Sequence, residues 1–140
     1  MTNTESRRKA RIEIIETLKS AGLVDGISMQ ATQLSQAARP AFWHGVVRND
    51  KAKQKDSYVT WHIPASPSSK RADDKTFLRE VTIAVDVFAK RSFSSEQNHK
   101  LLEALETAFE KSGYEVEFGE EQFESDTELF HYPITIFKLY

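Results

Sequence analysis

The sequence predicts an α+β fold in which a mainly antiparallel sheet of about four or five strands packs against two principal helices. Two stretches carry apolar residues at helical spacing, and four others alternate apolar and polar residues as strands do. The helical stretches are 4–21 and 94–112, and the alternating ones are 58–64, 77–90, 114–118 and 129–140. Because the strands cluster along the chain, a sheet with its helices on one face is favoured over a parallel α/β arrangement.

The first helix is expected from about Thr4 to Ala21. Ile12, Ile15 and Leu18 recur at helical spacing, whereas most other positions are charged. Thr4 can cap the start of the helix, and Gly22 can end it in the left-handed conformation. The prediction is an amphipathic helix with the three apolar side chains on its buried face.

The next elements are a short aromatic strand within Ala41–Val47 and a strand from Tyr58 to Pro64. In the second strand, alternate residues from Val59 to Ile63 share one face, and Pro64 ends it because proline cannot donate a ladder hydrogen bond. A polar loop of roughly a dozen residues, Ala65–Thr76, is expected to follow. Loops of this length in compact domains are usually functional or disordered.

The strand expected at Phe77–Lys90 has the clearest pattern, because four β-branched residues alternate with polar or small ones. They are Val81, Ile83, Val85 and Val87. The helix that follows is expected to begin at Ser94, with Gln97 completing a capping box, and to end at Gly113.

The last part of the chain is expected to form two more strands, separated by an acidic loop at Gly119–Thr127. The final strand, Leu129–Tyr140, carries apolar residues on both of its faces. Pro133 lies within it, so we expect one side of this strand to be unpaired or near an edge.

Composition limits the classes of function. The 140 residues fit one domain, 1–140, with enough large apolar residues for a core. Cysteine is absent, which excludes a disulfide scaffold and a thiol nucleophile and suits a reducing compartment. No apolar run is long enough to span a membrane, and residues 1–8 lack the apolar segment of a signal peptide. We therefore expect a soluble intracellular protein.

No motif predicts a catalytic, metal or cofactor site. None of the four histidines is paired at metal-ligand spacing, and the chain has neither a glycine-rich phosphate loop nor a G-x-S-x-G elbow. His62 and His131 lie in predicted strands, and an enzyme would need them to meet an acidic partner across the sheet. We expect ordinary polar residues of a sheet surface there, and no enzyme.

Charge is segregated along the chain. Basic residues cluster at 7–11 and 51–55 and acidic residues at 115–128, while the formal net charge is −2. The basic groups leave a small nucleic-acid-binding module as an alternative, although the overall charge argues against it. The acidic segment fits neither an EF-hand nor a glycosidase carboxylate pair, so we interpret it as a solvated face. Opposite patches suit head-to-tail contacts in a ring, and neutralisation within one chain explains the same asymmetry.

A succession of elements runs through the chain. An opening helix is followed by the strand Tyr58-Val59-Thr60-Trp61-His62-Ile63-Pro64, a polar loop, a strand at 79–89, a helix at 94–112 and a terminal strand, Tyr132-Pro133-Ile134-Thr135-Ile136-Phe137. This pattern resembles the small tail terminator, or tail completion, proteins of long-tailed phages and prophages. The segment 23–55 does not align with that pattern.

The resemblance implies a structural virion protein without catalytic residues, metal or cofactor. Such proteins form a homo-oligomeric ring, usually of six subunits, which caps the tail tube and joins it to the head. The implied partners are other copies of the chain, the tail tube and the head–tail connector proteins. We expect no membrane partner, and the overall charge disfavours nucleic acid. The implied location is the host cytoplasm during assembly and then the virion tail.

A head–tail joining protein from the other side of the neck is the nearest alternative to a terminator. In terminator rings, the first helix and the loop after the first strand contribute to contacts with subunits or with the tube. The resemblance therefore gives these candidate interface residues: Arg7, Arg8, Arg11, Ser66, Ser68, Lys70, Arg71, Asp73 and Asp74.

Overall fold

The computed structural model describes residues 2–27, 39–45, 55–64, 70–72 and 75–140. At 70–72 and 75–78 it describes the backbone alone and not the side chains. Helices α1 and α2 span Asn3–Ser20 and Glu96–Lys111. The strands are β1 (Val24–Asp25), β2 (Ala41–His44), β3 (Ser57–His62), β4 (Lys70–Ala72), β5 (Lys75–Leu78), β6 (Glu80–Ala89), β7 (Glu115–Phe118), β8 (Gln122–Glu124) and β9 (Leu129–Leu139). The predicted α+β class is confirmed, although the main sheet of the described chain has seven strands rather than four or five.

The strands of the main sheet lie in the order β1–β2–β3–β6–β9–β7, and β8 pairs with another part of β9. The first three strands run parallel to one another, and the remaining pairs are antiparallel. The pairing of β6 with β9 is the longest, from Glu80 opposite Leu139 to Ala89 opposite Phe130. It lies inside the sheet, with β3 on one side and β7 and β8 on the other.

The core lies between the two helices and one face of the sheet, which we call the helix face. The predicted alternation in β6 is confirmed, because Val81, Ile83, Val85 and Val87 are at most 3% exposed. The other buried side chains of this layer include Val59, Ile134 and Ile136 from the sheet, Ile14 and Leu18 from α1, and Leu105 and Phe109 from α2. Burying one such side chain stabilises a fold by roughly 1.5–3 kcal/mol before chain entropy is counted.

Helix α1 presents a different face to the core from the one predicted. Ala10, Ile14 and Leu18 are fully buried, whereas Ile12 is 50% exposed. Small residues on this face let the helix lie close to the sheet, so the face is set by packing as well as by apolar spacing. The helix ends before Gly22, which has the predicted left-handed conformation, with φ of +96°.

The N-terminal caps of both helices differ from the predictions. Thr2, and not Thr4, caps α1, because its Oγ1 accepts from Glu5 N at 3.1 Å while Glu5 Oε2 accepts from Thr2 N at 3.2 Å. Helix α2 has Ser95 at its N-cap, without a side-chain capping bond, so the capping box predicted at Ser94 is wrong. There Asn98 Nδ2 donates to the carbonyl of Arg91 at 2.9 Å and fixes the start of the helix instead.

Several short strands lie where the sequence predicts loops or a continuous strand. The predicted loop at Ala65–Thr76 contains β4, which pairs with β5 in a separate two-stranded sheet. The predicted strand at Phe77–Lys90 is divided at Arg79, whose backbone exchanges hydrogen bonds of 2.8 and 2.7 Å with Tyr140. The predicted acidic loop contains β8, and β1 was not predicted.

A bulge separates β7 from β8. Phe118 lies opposite Ile134, and Gln122 lies opposite His131. Between these two pairs the edge has three residues, 119–121, whereas β9 has two, 132–133. Pro133 is at this point, and its carbonyl accepts from Gly119 N at 2.8 Å. Strand β9 is therefore paired on both sides and lies next to the edge, and the missing N–H of proline falls where the bulge interrupts the ladder.

The C-terminal end of β9 is fastened to α1 by a half-buried network around Glu13. Lys138 Nζ donates to Glu13 Oε2 at 3.0 Å and to the carbonyl of Ser112 at 2.8 Å. The hydroxyl of Tyr140 donates to the same Glu13 oxygen at 2.8 Å. Burial raises the pKa of Tyr140, and its hydrogen bonding raises it further, so this hydroxyl stays a donor across the neutral range.

Within the described residues, neither helix is both long and apolar enough to cross a membrane.

Val85→Asp is expected to abolish folding. Val85 is fully buried, and an unpaired carboxylate there costs several kcal/mol, against a total stability of about 5–15 kcal/mol for an ordinary domain. Circular dichroism and thermal melting of the purified variant would measure this. Thr82→Asp, on the opposite face of the same strand, is the control and should remain folded. A cooperatively melting Val85→Asp would contradict the assignment of the core face.

Gly119→Ala is expected to destabilise the protein by about 1–3 kcal/mol through overpacking. A Cβ at Gly119 would lie 2.6 Å from Cγ of Pro133 and 3.0 Å from its carbonyl oxygen. Because Pro133→Ala removes the nearer atom, the same glycine substitution should cost less in that background. Urea denaturation of the two single variants and the double variant gives this coupling energy. Strictly additive effects would contradict the contact.

Candidate functional site

The outer face of α1 carries the first group of predicted interface residues. Arg8 and Arg11 are exposed, and so is half of the surface of Ile12 beside them. Arg7 is half-buried, and its guanidinium donates to the carbonyl of Ile63 at 3.4 Å. The structure therefore separates Arg7, which holds α1 to the end of β3, from Arg8 and Arg11, which face solvent.

Arg11 of α1 lies near His44 and His62 at the neighbouring ends of β2 and β3. His44, the last residue of β2, lies with its ring centroid 4.4 Å from that of Trp61. Burial lowers the pKa of His44, and the positive charges of Arg11 and His62 lower it further. This surface therefore favours an anionic neighbour.

The second group of predicted interface residues lies in or near the β4–β5 hairpin. Lys70 and Arg71 are in β4, whereas Ser66, Ser68, Asp73 and Asp74 lie outside the described residues. Because Arg7 bonds to Ile63, the residue after β3, the first helix approaches the start of the connection to the hairpin.

Exposed aromatic rings mark the opposite edge of the sheet, which we call the edge patch; it consists of Phe118, Phe123, Phe130 and Tyr132. Phe118 and Phe123 are 38% and 58% exposed. The ring centroids of Phe123 and Phe130 are 5.1 Å apart, and those of Phe118 and Tyr132 are 6.1 Å apart. Large apolar side chains that are exposed together are typical of interaction surfaces.

Carboxylates surround the edge patch, and they divide into two kinds. Glu115, Glu117 and Glu120 are exposed, in agreement with the predicted solvated acidic face. Glu121 instead accepts from Phe93 N and from Ser92 Oγ, which holds the segment before α2 against this edge. The exposed members make the edge negative, opposite in sign to α1.

The face of the sheet away from the helices, which we call the open face, carries a row of ring contacts across four strands. The rings of Trp43, Tyr58, Phe88 and His131 follow one another at centroid distances of 6.2, 5.1 and 4.6 Å. Burial raises the pKa of Tyr58, and the negative charge of Glu124 raises it further. The row fixes the imidazole of His131 flat against Phe88.

His131 also lies between two carboxylates. Its Nε2 is 2.6 Å from Asp86 Oδ1, and its Nδ1 is 3.2 Å from Glu124 Oε1. The arrangement that an enzyme would need, with His62 beside His131, is not formed, because β6 lies between their strands and His62 is opposite Ala84. Nε2 shares a hydrogen bond with Asp86 and Nδ1 lies within ion-pair distance of Glu124, so the arrangement fastens β9 to β6 and β8.

Two surface cavities accompany these features. One, of about 530 Å³, is lined by Tyr58, Lys90, Thr127, Glu128 and Leu129. The other, of about 480 Å³, is a groove between the end of α1 and α2. Neither brings together a nucleophile, a base and an oxyanion donor, and the described residues contain no group of three or more potential metal ligands.

The sequence did not identify Ile12, Phe118 and Phe123 as surface residues. Ile12 fits the helical apolar spacing, so the sequence places it on the buried face. The structure buries Ala10 and Ile14 instead, which shows that the buried face of the helix is rotated from the predicted one. For the phenylalanines a signal was present, because each lies among glutamates in a short alternating segment.

Comparison of the sequence with protein-family models and with curated proteins finds no match in either.

His131→Phe is expected to lower the free energy of unfolding by about 1–3 kcal/mol. The phenyl ring keeps the stack on Phe88, but the hydrogen bond to Asp86 and the ion-pair contact with Glu124 are lost, and two half-buried carboxylates remain without their shared partner. Urea denaturation at pH 7 measures the change. His99→Ala, which removes an exposed pair with Glu103, is the control and should change stability by less than about 0.5 kcal/mol. An equally stable His131→Phe would contradict a fastening role.

Proposed function

We propose that this chain is a structural subunit of a phage or prophage virion, a tail terminator that forms a homo-oligomeric ring. The ring would cap the tail tube and join it to the head. The sequence pattern supports this proposal, since the succession of helix, strand, polar connection, strand, helix and terminal strand resembles that family. The structure adds independent physical support through the surfaces that it leaves without partners.

The observation that carries the proposal is the β4–β5 hairpin. It lies between two strands that are neighbours in the main sheet, β3 and β6, yet it forms a separate two-stranded sheet. An isolated two-stranded hairpin is marginally stable in water and gains stability when a third surface packs against it. A second subunit or the tail tube would provide that surface, which agrees with the role of this connection in terminator rings.

A structural role also agrees with how the polar side chains are used. The half-buried groups around His131 and Glu13 hold strands and helices together and do not converge on a substrate-sized cleft. Among the exposed charges, those of the α1 face and those of the sheet edge form two separate surfaces of opposite sign. Separate complementary surfaces on one subunit are what a ring with identical head-to-tail contacts requires.

The wild-type chain is expected to form a species of about six times the 16.0 kDa subunit mass, either alone or on tail tubes that lack a terminator. Light scattering after size exclusion, over a range of salt and protein concentrations, measures the free species, and electron microscopy measures the capped tubes. Replacing residues 66–76 by a short Gly-Ser linker should reduce assembly without changing thermal stability, because the hairpin is separate from the main sheet.

A chain that stays monomeric in both settings would contradict the ring. Equal assembly by the linker variant would contradict the role of the hairpin. Binding to single-stranded nucleic acid that weakens steeply with salt would favour the binding-module alternative instead.

A further inference from the structure

We propose that the outer face of α1 in one copy binds the edge patch of the next copy. This inference rests on the proposed ring and names the two surfaces that meet. The α1 surface consists of Arg8, Arg11 and Ile12. The edge surface consists of Phe118 and Phe123 with the carboxylates of Glu117 and Glu120.

The α1 surface places an exposed apolar side chain beside two basic ones. Ile12 follows Arg8 by four residues and Arg11 by one, so the side chains of Arg8 and Ile12 are neighbours on the helix surface. Half of the surface of Ile12 is exposed, although isoleucine is among the residue types most often buried. Neither arginine makes an ion pair or hydrogen bond with any residue that the structure describes.

The edge surface combines the same two features with the opposite charge. Phe118 and Phe123 present large exposed parts of their rings beside Phe130 and Tyr132. Glu120 follows Phe118 by two residues, and Glu117 precedes it on the other face of β7 at the same edge, opposite Thr135. Both are exposed and have no polar partner within the described chain. Strand β7 is the end of the main sheet, and no described strand pairs with its outer side.

These surfaces do not meet within one chain. Helix α1 packs against α2, β1 and β6, and α2 packs against β7, so α2 lies between the two surfaces. Two different surfaces that complement each other only between copies form a heterologous contact, which gives a ring where the rotation between copies closes and an open filament where it does not. A basic rim with an exposed isoleucine fits an acidic rim with exposed phenyl rings in both charge and apolar character.

Charge reversal on each side tests the contact. Arg8→Glu with Arg11→Glu makes the α1 surface acidic, and Glu117→Lys with Glu120→Lys makes the edge basic. Each double variant alone should associate at least about tenfold more weakly than the wild type, because like charges then face each other. An equimolar mixture of the two should recover association to within about threefold, since each reversed surface then meets a reversed surface of the other variant. Sedimentation or light scattering at low salt measures all three samples.

The controls carry the same change in charge at other exposed positions. Lys19→Glu with Lys111→Glu matches the first variant, and Glu103→Lys with Glu110→Lys matches the second. Both should associate as the wild type does. Thermal melting of every variant establishes that the fold is retained, and Phe123→Ser should weaken association at high salt, where the charges contribute least.

The outcomes separate this contact from the ring itself. A wild type that associates, with reversed variants that associate equally well, overturns the contact and leaves the ring. Two weakened variants whose mixture does not recover also overturn it, because the surfaces then do not face each other. Recovery in the form of a dimer supports the contact and overturns the ring, whereas a wild type that never associates overturns both.

Discussion

The pairing of β6 with β9 is the constraint on which the rest of the structure depends. Its ten residue pairs fix which side chains point toward the helices, and a slip of one residue would exchange the two faces. In the observed register Val85 lies opposite Ile134 on the helix face, and Phe88 lies opposite His131 on the open face. The same pairing brings Tyr140 to the end of the sheet, where its hydroxyl meets Glu13 of α1. The core, the row of rings on the open face and the attachment of the first helix therefore all depend on the pairing of β6 with β9.

A single extra residue in the edge strand completes this arrangement. Across the bulge at 119–121 the alternation along the edge shifts by one position relative to β9. With the bulge, Phe123 lies opposite Phe130 and belongs to the edge patch, while Glu124 is on the open face and reaches His131. Without it, the two side chains would exchange faces, so that an aromatic ring would replace the carboxylate beside His131. The close fit of Gly119 against Pro133 is therefore a requirement of the edge patch and of the His131 contacts together.

The sequence predicted the elements that have strong periodicity. Its predictions were wrong where contacts with other elements of the fold decide which structure a segment adopts. The alternation of β6 is local information, because every second residue is β-branched. The rotation of α1 is not, since Ile12, Ile14 and Ile15 offer competing faces and only the sheet selects Ile14. Strand β8 consists of three residues with polar ends, and it is a strand because β9 provides its ladder. Whether His62 lies near His131 is likewise not decided by the sequence, because the order of strands in a sheet is a property of the whole fold.

The surfaces left over after folding bear on how such a subunit would assemble. An exposed ion pair contributes about 0–1 kcal/mol, so the charges of α1 and of the sheet edge could orient two copies but not hold them together. Burying the exposed parts of Ile12 and Phe123 would add part of the roughly 1.5–3 kcal/mol of a fully buried side chain, which remains modest for one contact. A closed ring changes this balance, because the last subunit makes two contacts at once and the effective concentration of its second contact is high. Weak, complementary and spatially separate surfaces would thus give a stable ring while keeping the free subunit soluble, and a second stabilising surface such as a tube could set when the ring forms.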